Sequence, residues 1–103
     1  MGRTIIRIPF VDFKRAEDSI HRVLYGNKFK QIMVNSEIVW KKGGTVLGGQ
    51  CLKIEYSEKE LVMSAWITPF LGGEEEFDLE SVGALIPKQQ LLSVIEQIKI
   101  SIR

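Results

Sequence analysis

His21 follows Glu17 by four residues, a spacing at which one turn of helix would set a carboxylate against an imidazole and fix its orientation. A general base also needs a nucleophile or a substrate pocket beside it, and the spacing supplies neither, so the pair reads as a helix-surface contact. Cys51 is the only cysteine. It has no partner for an intramolecular disulfide, and one Cys with one His falls short of the about four ligands of a zinc site. At the start of a strand-like run it reads as a small buried hydrophobe rather than a nucleophile.

The segment Gly43-Gly44-Thr45-Val46-Leu47-Gly48-Gly49-Gln50 has the glycines of a phosphate-cradling loop without the Lys-Ser/Thr pair that would reach the phosphates. It joins two strands, where such glycines serve a hairpin loop by permitting positive φ, and nucleotide binding is rejected. The carboxylates Glu74, Glu75, Glu76, Asp78 and Glu80 match no calcium loop. They read as a solvated edge that discourages sheet-to-sheet aggregation. Trp40 and Trp66, with Tyr56 and Phe29, would stack on bases only with Arg or Lys interleaved on the same face, so they are expected in core or cross-strand packing. With no nucleophile-base-orienter set, metal motif or phosphate loop, the sequence points away from an enzyme and calls for no cofactor.

Lys+Arg 14 against Asp+Glu 13 leaves a formal net charge of +1, which argues against duplex nucleic acid as the main partner, since that needs a concentrated basic face, and leaves room for a local patch alone. A chain of 103 residues that is 45% hydrophobic supports one folded core, a single domain over 1–103. Arg3 and Arg7 interrupt the apolar stretch MGRTIIRIPF, so a signal peptide is not expected, and no segment nears the ~20 apolar residues of a spanning helix. Ile6 stands where a myristoylation pattern wants Ser or Thr. A reducing, cytoplasmic setting is the expectation.

The elements that must position these residues follow from periodicity. Ile6, Ile8 and Phe10 alternate as a first strand that Pro9 places at an end or an edge. Asp12 is a candidate N-cap for a helix carrying Phe13, Ala16, Ile20, Val23 and Leu24 on one face, stopped by Gly26-Asn27. Residues 28–35, 37–42, 50–57 and 60–68 read as strands, with Ile32/Val34, Ile38/Trp40, Leu52/Ile54/Tyr56 and Leu61/Met63/Ala65/Ile67 as their core-facing sets. Phe77 and Leu79 mark a sixth strand. Pro87 suits a first helical position, followed by a stripe of Leu91, Leu92, Ile95, Ile98 and Ile102. Ile98, Ile100 and Ile102 also alternate as in a strand, and helix is preferred through about Lys99.

The order β-α-β-β-β-β-β-α with hairpin-length connections predicts a two-layer α+β domain, an antiparallel meander sheet with two amphipathic helices on one face. The topology resembles the TATA-binding-protein-like and helix-grip folds. Folds of this kind serve unrelated functions, so none is inherited from the shape. Ile38-Val39-Trp40-Lys41-Lys42-Gly43 and Gly83-Ala84-Leu85-Ile86-Pro87-Lys88, with the Leu91/Ile95/Ile98 helix, resemble an uncharacterised bacterial domain found alone or behind an N-terminal zinc ribbon. The resemblance covers residues ~28–99, lacks the ribbon's cysteines and implies a bacterial adaptor-like module without catalytic residues.

In a meander, alternate hairpin loops share one end of the sheet, so Val46-Leu47-Gly48-Gly49 and Phe70-Leu71-Gly72-Gly73 are expected side by side. Both helices are expected to finish at that end and the first strand to begin there with Arg3, gathering Lys28, Lys41, Lys42, Lys99 and Arg103. Val46, Leu47, Phe70, Leu71, Lys41 and Lys42 are therefore the candidate interaction surface of a non-catalytic module that recognises a protein partner or a membrane through the 43–49 and 69–74 loops. The alternative is a carrier of a small apolar ligand between sheet and helices. A homo-oligomer through an edge strand is a further possibility, and nucleic acid is not an expected partner.

Overall fold

The computed structural model describes residues 2–43, 49–68, 76–79 and 85–102, the last segment as backbone alone over 85–87. Five strands, β1 (Thr4–Pro9), β2 (Lys30–Val34), β3 (Glu37–Gly43), β4 (Gly49–Tyr56) and β5 (Glu60–Ile67), form one sheet in the order β1-β5-β4-β3-β2. Every pairing is antiparallel. Helices α1 (Phe13–Gly26) and α2 (Leu85–Ile102) share one face of the sheet, which makes this an α+β protein. Among the described residues, the predicted sixth β segment is present as a single antiparallel bridge, Phe77 opposite Ile67.

Alternation built the main core as the sequence suggested. Ile8, Leu52, Leu61, Met63, Ala65, Ile67 and Trp40 from the sheet meet Ile20 and Leu24 of α1 and Leu91, Ile95 and Ile98 of α2. Helix α1 starts where Asp12 accepts a hydrogen bond from the Arg15 N–H at 3.3 Å, satisfying one of the free donors of the first turn. Its end falls at Gly26-Asn27 as expected, but the left-handed residue that turns the chain is Lys28, with φ +72°. The Phe29 N–H then closes on the Leu24 carbonyl at 2.9 Å and delivers the Phe29 ring into the core. Helix α2 continues to Ile102, so the 98–102 segment is helical and its strand-like alternation is incidental. Leu92, placed in the buried stripe from sequence, is exposed.

Strand β2 departs from the expected pattern. A two-residue turn at Asn35-Ser36, both with positive φ, fixes Val34 opposite Glu37 and Ile32 opposite Val39. That register ties Ile32 and Val34 to the helix-free face and puts Gln31 opposite Trp40 and Met33 opposite Ile38 on the other. A parity error of one residue moves a whole strand's apolar set across the sheet. Here the turn chemistry outranked the hydrophobic count, and all five residues of β2 are exposed.

Candidate functional site

Gly43 pairs with Gly49 at the end of the β3–β4 ladder. The Gly49 N–H donates to Thr68 Oγ1 at 2.7 Å, and the Thr68 N–H donates to the Gly49 carbonyl at 2.8 Å. The roots of the two loops predicted to be neighbours are therefore hydrogen-bonded to each other. Their tips, Val46, Leu47, Phe70 and Leu71, lie outside the described residues. Lys41 and Lys42 are described, and strand alternation divides them. Lys41 stands in register with Cys51 on the helix-free face, while Lys42 stands in register with Gln50 on the helix face.

The same sheet end receives the finish of α1 and the start of β1, where the Gly2 N–H donates to the Glu76 carbonyl at 2.9 Å. Helix α2 was expected to finish here and instead begins here, with Gln50 Nε2 donating to Gln90 Oε1 at 2.7 Å. A full sixth strand would have carried the chain to the far end before the helix. Among the described residues that segment meets the sheet at the Phe77 bridge, which lies at the near end. Lys99, nine residues past Gln90 and so ~14 Å along the axis, is removed from this surface and sits 3.9 Å from Glu96. Arg103 lies outside the described residues.

Asn27, Lys42, Gln89, Gln90, Ser93 and Val94 line an open cleft of about 430 Å³ between the end of α1, the start of α2 and β3. Its polar groups are amide, hydroxyl and ammonium, with Val94 as its aliphatic side chain. Gln50, buried behind it, keeps Oε1 without a hydrogen-bond partner. Among the described residues, Lys28, Lys30, Lys41 and Lys42 make no ion pair, and Lys30 faces Lys41 directly across the β2–β3 ladder. Among the described residues, these four lysines thus stand near this sheet end without carboxylate partners.

His21 does not pair with Glu17. Its ring lies 5.3 Å from that of Trp40 and 6.2 Å from that of Tyr25, while the Glu17 carboxylate is 3.7 Å from Lys14 Nζ. The broad indole surface of Trp40 draws the imidazole inward, off the line of the i, i+4 carboxylate. Cys51 is buried as expected, and burial pushes its thiol up to about 11. The thiolate is the reactive form. In the native protein Cys51 is expected to react with a disulfide reagent at pH 8 at least ~100-fold more slowly than in the urea-unfolded chain, since reaction waits on opening of the sheet. Rates within a few-fold of each other would show an accessible thiol.

Sequence reasoning missed a second cluster, on the face without helices. Val39, Cys51 and Trp66 form a small buried group there. The Arg3 guanidinium lies 3.8 Å above the Trp66 ring, donates to both oxygens of Glu76 at 2.8 and 2.7 Å, and donates to Glu37 at 3.0 and 3.4 Å. Lys53 Nζ adds 2.9 Å to the same Glu37 carboxylate. The Arg3 hydrogen bonds, followed by that of Lys53, hold the Glu37 carboxyl down at about 2. The Glu76 hydrogen bonds raise Arg3 further, against the opposing cost of burial. Glu76 is thus not a solvated edge carboxylate, because it clamps Arg3 on the sheet. Trp66 is cross-strand packing, as expected, but under an arginine whose partners lie 34 and 73 residues away in the chain.

Among the described residues, no helix is long and apolar enough to cross a membrane. In comparisons with known proteins, no family model, no curated protein and no solved structure matches this chain.

Proposed function

We propose that this chain is a non-catalytic interaction module that recognises a protein partner at the sheet end from which the 43–49 and 69–74 loops leave. The observation that carries the reading is the paired hydrogen bonding of Gly49 and Thr68, which roots both loops at one point. Two loops with apolar residues at 46–47 and 70–71, beside Lys28, Lys41 and Lys42 without ion pairs among the described residues, suit a partner surface that is apolar at its centre and acidic at its rim. The resemblance of residues ~28–99 to an uncharacterised bacterial domain, which implies an adaptor-like module at most, is in keeping with this reading. The ligand-carrier alternative has less support, since the described cleft is open and Val94 is the one aliphatic residue among the six that line it.

The double variant Leu47→Ser/Phe70→Ser and the variant Lys41→Glu/Lys42→Glu are expected to lose at least ~10-fold in binding to the partner that the unaltered protein retains, the size of effect that central anchors and facing charges produce. Pull-downs and flotation with phosphatidylserine-containing vesicles read this in parallel. Loss confined to the vesicle arm would transfer the surface to a membrane, and unchanged association in both arms would remove the proposal.

A further inference from the structure

Strand β2 closes one side of the sheet, and among the described residues no strand pairs with its outer edge. The opposite edge, β1, is guarded. It ends in Pro9, and Arg7 on it is tied to Glu60 at 2.9 Å. Strand β2 has no proline and no charge between Gln31 and Val34, while Met33 is 68% and the adjacent Ile38 56% exposed. Because the two-residue turn makes Val34 and Glu37 a hydrogen-bonded pair, alternation turns the main-chain groups of Lys30, Ile32 and Val34 toward β3. Those of Gln31 and Met33 point outward, the pattern that accepts another strand.

We propose that a second copy of this chain pairs with this edge, β2 against β2 antiparallel about a two-fold axis at Ile32, making one continuous sheet across the dimer. The pairing sets Gln31 against the partner's Met33, Ile32 against the partner's Ile32 and Lys30 against the partner's Val34. All outward main-chain groups of both strands are used in this register, and no like charges face each other. The two Lys30 side chains are rooted ~14 Å apart, beyond the ~8–10 Å screening length, whereas a parallel arrangement would stack them. Within one chain Lys30 opposes Lys41, an unfavourable cross-strand pair. In the dimer it lies over the partner's Val34, whose ladder neighbour is Glu37, a carboxylate with acceptor capacity left beyond Arg3 and Lys53. The formal net charge of +1 sets little self-repulsion against association. A contact of one strand with a few apolar side chains belongs to the small, reversible class of interfaces. This inference stands apart from the loop surface and does not depend on it.

Sedimentation equilibrium of the full chain from micromolar to millimolar concentration is expected to show a monomer–dimer equilibrium. Ile32→Lys places two ammonium groups at the axis and is expected to weaken it at least ~10-fold, while Ile5→Lys on β1 leaves it unchanged. In a Cys51→Ala background, Ile32→Cys is expected to give a covalent dimer on mild oxidation and Ile5→Cys to give none at the same concentration. The cross-linking comparison reads the geometry without relying on the charged variant. A chain monomeric at millimolar concentration, a dimer indifferent to Ile32→Lys, or cross-linking no faster at position 32 than at position 5 would each overturn the proposal.

Discussion

Replacing Phe29 by alanine is expected to lower the unfolding free energy by about 3–5 kcal/mol, which is much of the 5–15 kcal/mol a single domain has in total. Phe29 is 1% exposed and sits among α1, the sheet and α2 in the main core cluster. Its N–H is held by the Leu24 carbonyl, so the backbone cannot shift into the space the ring vacates without breaking the helix cap. The removed atoms therefore leave most of their volume empty, and the lost contacts add to the lost transfer energy. Urea titration followed by tryptophan fluorescence should show a lower midpoint with an unchanged slope. Ile100→Ala, at a position 61% exposed, should move stability by less than about 0.5 kcal/mol. Equal effects from the two variants would show that Phe29 is not a core anchor.

Arg3→Ala should lower the melting temperature by roughly 5–10 °C, the scale for removing a part-buried, multiply bonded cation from a domain of this size. The guanidinium joins the start of β1 to Glu37 at the start of β3 and to Glu76 beyond β5, and it roofs Trp66. Its loss uncovers the indole, takes both guanidinium hydrogen bonds from Glu76 and leaves Glu37 with Lys53 alone. The exposed Arg7–Glu60 pair is the fitting control, and Arg7→Ala should shift the melt by no more than a few degrees.

The pH dependence of stability carries the same signature. Glu37 is held at about 2 in the fold against an ordinary value of 4.5, so it stabilises the protein above pH 4.5. That contribution fades as pH falls from 4.5 through 2, because the unfolded chain takes up the proton first. Melting temperature plotted against pH should decline over this window in the unaltered protein. The decline should be shallower in Glu37→Gln and in Arg3→Ala, which share the lost interaction. Parallel curves for all three would show that Arg3 and Glu37 do not hold each other in solution.

Much of the fold was legible in residue order because each signal was local. Asp12 before an amphipathic run marks a helix start, and the 2-residue period of Leu52/Ile54/Tyr56 and Leu61/Met63/Ala65/Ile67 marks two central strands with one buried face. The adjacency of the two loop roots was legible too, since it depends only on hairpins following one another. The face assigned to β2 was not. It turned on the two-residue geometry of Asn35-Ser36, and the count of apolar residues alone favoured the wrong parity. The end of the sheet at which α2 begins was missed for a related reason. A strand pattern at 77–79 does not disclose whether it runs the length of the sheet or touches it at one bridge.

The sequence by itself determined the layers: two amphipathic helices and a run of hairpin-linked strands have one economical way to bury their apolar faces together. Only the tertiary structure decided what the other face of the sheet does. Arg3, Glu37, Lys53, Trp66 and Glu76 are scattered along the chain, and each alone reads as an ordinary strand or surface residue. They form a roof because ladder register carries distant residues to within bonding distance, and register is a property of paired strands that no single segment encodes.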